Sequence, residues 1–63
     1  MKKVIGTYEV ELEGSMVYIR NAASGELINA KPARPFEALA KFNKVCELIG
    51  IREGVKVQPV IVK

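Results

Sequence analysis

The sequence predicts an α+β fold: three antiparallel strands, one helix and a fourth strand, closed into a four-stranded mixed sheet. Three observations predict it. Residues 8–13 alternate apolar and acidic with period two, residues 36–49 carry apolar side chains at helical spacing, and residues 55–62 are rich in valine and isoleucine. The 63 residues make a single domain, residues 1–63. A chain this short buries only about 60% of its unfolded surface.

In the first strand Tyr8, Val10 and Leu12 face one way, and Glu9, Glu11 and Glu13 the other. Gly14-Ser15 fits a two-residue type II′ turn, whose first position wants glycine. That turn sets Glu13 opposite Met16, Glu11 opposite Tyr18 and Glu9 opposite Arg20 on one face. On the other it sets Leu12 opposite Val17 and Val10 opposite Ile19, so the apolar set falls together and fixes the register. Residues 2–7 read as an extension of the same strand. A second hairpin turns through Ala22-Ala23-Ser24-Gly25, with Gly25 free to take a left-handed backbone. It predicts Ile19 opposite Ile28 and Val17 opposite Ala30. Pro32 and Pro35 end this strand, because proline cannot donate to a ladder and restricts the residue before it.

Pro35 suits a first helical position. The spacing predicts a helix over residues 35–49, with Phe36, Leu39, Phe42, Val45, Cys46 and Ile49 in one stripe. Glu37, Lys41, Lys44 and Glu47 lie opposite. Gly50 followed by Ile51 reads as a Schellman stop. Residues 55–62 form the last strand, and the overhanging start of the first strand is its natural mate. The predicted spatial order is 4-1-2-3, with the helix on one face as a crossover between parallel strands. Pro59 fits an edge position. The expected core sets Phe36, Leu39, Phe42 and Ile49 against Val10, Leu12, Val17, Ile19 and Ile28.

Composition narrows the chemistry. There is one cysteine and no histidine, which excludes an internal disulfide, the common zinc sites and the usual general base near neutral pH. No catalytic residue, cofactor or metal ligand is expected. Lys2 and Lys3 are not followed by the apolar run of a signal peptide, and no stretch approaches the roughly 20 residues a bilayer needs. The chain therefore reads as cytoplasmic, without a membrane partner. Cys46 reads as a small core hydrophobe. The row Glu9, Glu11, Glu13 reads as a solvated strand face partly neutralised by Arg20. The glycines are isolated and build no phosphate-cradling loop. Pro32 and Pro35 match a bare P-x-x-P, but each already has a structural use.

Two surfaces remain. Strand alternation sends Ile5, Met16, Tyr18 and Leu27 away from the helix, joined by Val60 and Val62 if Val55, Val57 and Ile61 point inward. These six residues form a candidate protein interface. The densest basic group is Lys31, Arg34, Lys41 and Lys44, which with Tyr18 and Arg20 forms a candidate nucleic-acid surface: cations for phosphate, an aromatic for a base. The net charge of +3 permits this without requiring it.

The stretch TYEVELEGSMVYIRNAASGELINAKPARPFEALAKFNKVCELI, residues 7–49, resembles the small DNA-binding domains of plant ethylene-response factors and the N-terminal domains of some phage integrases. In shape these are three antiparallel strands followed by an amphipathic helix. The resemblance implies an exposed sheet face lying in the major groove, with Arg20, Tyr18 and Lys31 reading it and Met16 beside them. This chain departs from the pattern in its strand glutamates and its additional strand. The expected function is a non-enzymatic protein-interaction module, a homo-oligomer or the binder of another protein, with a regulatory or inhibitory use. The alternative is nucleic-acid binding through the exposed sheet face.

Overall fold

Gly6-Thr7 is a tight turn, and it changes the topology. The computed structural model describes residues 1–61. In it β1 (Lys2–Ile5) is a separate strand that folds back on β2 (Tyr8–Glu13). Gly6 turns with φ +60°, the left-handed backbone that glycine adopts without a Cβ clash. Ile5 lies opposite Tyr8 and Lys3 opposite Val10. β2 pairs with β3 (Met16–Asn21) across Gly14-Ser15 in the predicted register, from Glu13–Met16 to Glu9–Arg20 and through Leu12–Val17 and Val10–Ile19. β4 (Leu27–Pro32) completes an antiparallel sheet of order β1-β2-β3-β4.

The predicted mixed sheet of order 4-1-2-3 is therefore overturned. The chain runs β-β-β-β-α, and the mate of β2 on its open side is β1. The reason is a parity argument. In one continuous strand Ile5 and Tyr8 face opposite sides, whereas across a two-residue turn they share a side. The turn brings Ile5, 3% exposed, into the core. Residues 55–61 form no strand, so the helix is not a crossover between parallel strands.

The loop of the second hairpin closes as expected. Asn21 donates its N–H to Glu26 O at 2.9 Å, and its Oδ1 accepts from Ala23 N and Ser24 N. Arg20 still faces Leu27, but a bulge then shifts the register by one residue, and Ile19 meets Asn29 rather than Ile28. Val17 meets Lys31, not Ala30. Ile28 is half-exposed instead of buried. The helix packs on β1, β2 and β3 and not on β4, so no apolar cover favours burying Ile28 there.

Pro35–Glu37 is a 3₁₀ turn, and α1 (Ala38–Glu53) follows it. Its buried phase is Ala38, Phe42, Val45 and Cys46. Phe36 lies six residues before Phe42, about 240° round a helix, and is 79% exposed, contrary to its predicted place in the core. α1 also runs through Gly50. It ends one turn later at Gly54, φ +69°, where Gly54 N–H donates to Ile51 O and Val55 N–H to Gly50 O, a Schellman pair. The core joins Phe42, Val45 and Cys46 to Ile5, Val10, Val17 and Ile19.

Residues 55–61 return along the helix. Asn43 clamps them, donating from Nδ2 to Val60 O at 2.8 Å and accepting from Val60 N–H at 2.9 Å. Lys3 Nζ donates to Gln58 O. Residues 55 and 57 cross so close to Gly50 that an added Cβ there would lie 2.5 Å from Val57 Cγ2 and 2.7 Å from Val55 O.

Candidate interaction face

The face of the sheet opposite α1 can be laid out as rows crossing the strands. One row is Val4, Glu9, Arg20, Leu27. The next is Lys2, Glu11, Tyr18, Ala30, and the third is Glu13, Met16, Pro32. β2 thus supplies an acidic column, while β3 and β4 supply a mostly apolar strip. Nothing among the described residues covers it. Leu27 is 53% and Val4 65% exposed.

Charges on this face are already engaged. Arg20 Nη1 meets Glu11 Oε1 at 2.7 Å in a half-buried pair, and its guanidinium lies 5.0 Å from the centre of the Tyr18 ring. This geometry orders Arg20 by a charge-assisted hydrogen bond and a cation–π contact. Lys2 Nζ lies 4.0 Å from Glu9. The glutamate row is therefore neutralised in part, with Glu13 left exposed at its end.

Of the predicted protein interface, Met16, Tyr18 and Leu27 do come together, on β3 and β4. Ile5 and Val60 do not. Ile5 is in the core by the parity change, and Val60 packs against that core under the Asn43 clamp. Val62 lies outside the described residues. Sequence reasoning missed Val4, which the Gly6-Thr7 turn sends outward. Gly-Thr before Tyr8 carries the same signal as Gly-Ser before Met16.

The predicted nucleic-acid residues are spread over separate surfaces. Tyr18 and Arg20 lie on the open face. Arg34 and Lys41 line an open cleft of about 710 Å³ with Glu37 between β4 and α1. Lys44 pairs with Glu47 at 3.5 Å, and Lys31 points to the helix side of the sheet, opposite Val17. Cys46 is buried, and burial pushes its thiol up, with Lys3 pulling weakly the other way. It is set up as packing, not as a nucleophile. No described helix is long and apolar enough to cross a membrane.

Comparison with known proteins finds no matching family model, no similar curated protein and no similar solved structure. The likeness to ethylene-response-factor and integrase domains rests on the sequence pattern alone.

Proposed function

We propose that this chain is a non-enzymatic interaction module whose open sheet face binds a second copy of itself. The observation that carries this reading is the row Val4, Glu9, Arg20, Leu27. It reads apolar, acidic, basic, apolar, and it is its own complement when turned over. A two-fold axis parallel to the strands, between β2 and β3, lays Val4 over Leu27 and Glu9 over Arg20 in both directions. The same operation brings Glu11 of each copy to the phenol of Tyr18. Such an interface is isologous, the form most homodimers take, and two sheets stacked this way form an aligned sandwich. Apolar surface left bare on a sheet face favours association.

Light scattering checks it. The wild-type chain is expected at twice its 6.9 kDa mass, and Leu27→Glu at the single mass. Arg20→Glu also dissociates the dimer, and adding Glu9→Arg restores it, because the swap rebuilds the same reciprocal pair. A monomeric wild type at millimolar concentration overturns the reading. Nucleic-acid binding is the weaker reading, since its candidate residues lie on separate surfaces and Lys44 is paired with Glu47.

A further inference from the structure

The helix leaves β4 bare on its inner side as well. Between the flank of α1 and β4 runs a groove of about 290 Å³, lined by Ile19, Lys31, Val45, Leu48, Ile49 and Arg52. Its floor is apolar: Ile19 and Val45 are buried, Ile49 is half-buried, and Leu48 is 53% exposed at the lip. Its charges have one sign. Lys31 and Arg52 line it, no acidic residue does, and neither cation joins an ion pair among the described residues. The nearest acid in sequence, Glu53, has its carboxylate bound by the Thr7 N–H and hydroxyl, each at 2.8 Å.

We propose that this groove docks a short segment of a partner protein in which apolar side chains alternate with carboxylates. The apolar side chain fills the gap between Leu48, Ile49 and Ile19 that a fuller helix-on-sheet packing would close. The carboxylates meet Lys31 and Arg52, neither of which joins an ion pair among the described residues. A phosphate backbone matches the cations but wastes the apolar floor, and an uncharged apolar peptide leaves the cations unused. An acidic, apolar segment satisfies both. This surface lies on the opposite side of the sheet from the self-association face, so the two proposals stand or fall separately.

The experiment is an amide-shift titration of the ¹⁵N-labelled chain with three synthetic peptides. One alternates glutamate and leucine, the second replaces each glutamate by glutamine, and the third by lysine. The acidic peptide is expected to move the resonances of Ile19, Lys31, Val45, Leu48 and Arg52. It should bind roughly tenfold tighter than the glutamine peptide, the weight of one charge-assisted contact. The lysine peptide leaves these resonances in place. Lys31→Glu weakens the acidic peptide by a similar factor, and the exposed Arg52→Gln gives a second variant that keeps the fold. Equal binding of acidic and lysine peptides overturns the proposal, as do shifts centred elsewhere or none at millimolar peptide. Resonances of Val45, Leu48 and Arg52, on α1 and away from the open face, that move with protein concentration alone assign the groove to a second copy and overturn the partner.

Discussion

Glu53 ties the first hairpin to the end of the helix. Its carboxylate accepts from the Thr7 N–H and from Thr7 Oγ1, and these bonds, the backbone one foremost, hold its pKa below the ordinary carboxylate value. A carboxyl group whose folded pKa is lowered stabilises the fold above its unfolded pKa and loses that contribution as pH falls through the folded one. Glu53→Gln keeps an oxygen acceptor for Thr7 but removes the charge. The variant is expected to melt lower than wild type near neutrality, with the gap closing as pH is taken down through the carboxylate range. Thermal melts across that range check it, and parallel curves at every pH would show that Thr7 does not prefer the ionised form. Gly6 is bound to the same contact. A Cβ on Gly6 would run into the Glu53 side chain, so the turn and the cap fit together only with glycine there.

The helix has one buried phase, and two phenylalanines test it. Phe42 is fully buried among Val10, Val17 and Cys46, whereas Phe36 stands 79% exposed on the 3₁₀ turn. Phe42→Ala is expected to cost about 3–5 kcal/mol, and Phe36→Ala less than about 0.5 kcal/mol. Urea unfolding of both variants checks it, and comparable losses would mean that the phase is wrong. The same elements show what was legible in the sequence. The β2–β3 register was, because Tyr-Glu-Val-Glu-Leu-Glu and Met-Val-Tyr-Ile-Arg leave one way to bring Val10, Leu12, Val17 and Ile19 together. Met16 and Tyr18 were found on one face for that reason, and Leu27 with them because the Asn21–Glu26 loop sets it opposite Arg20. The Gly6-Thr7 turn is marked only by its Gly-Thr pair, since Lys-Lys-Val-Ile continues a strand as plausibly as it starts one, and reading it as a continuation misplaces Ile5 and the last strand together. The β4 bulge was not readable, because an edge strand without a helix over it takes its register from local loop geometry rather than from burial. Nor was the clamp of Asn43 on Val60, a contact between residues 17 apart in sequence that no periodicity marks.

At the scale of the whole molecule the problem is how so little core holds a fold. Below about 70–80 residues one core rarely supplies more than 3–5 kcal/mol, and here the fully buried large side chains are Phe42, Val10, Val17 and Cys46. Meanwhile Val4, Leu27, Ile28, Phe36, Leu48 and Ile51 stay half-exposed or more. Those on the open face offer the missing burial if a second copy covers it. Stability then becomes a property of the dimer and depends on protomer concentration by mass action. For a two-state dimer of chains this size, with an unfolding enthalpy of about 0.7 kcal/mol per residue, Tm should rise by about 5 °C for each tenfold increase in concentration. Calorimetry from about 10 μM to about 1 mM spans two such steps. Leu27→Glu should melt lower and at a temperature independent of concentration, because it removes the apolar contact with Val4 of the second copy without touching the core beneath α1. A wild-type Tm that stays fixed over the same range would mean that the single chain stands on its own core, braced by the clamp of residues 55–61 and by the Glu53–Thr7 tie.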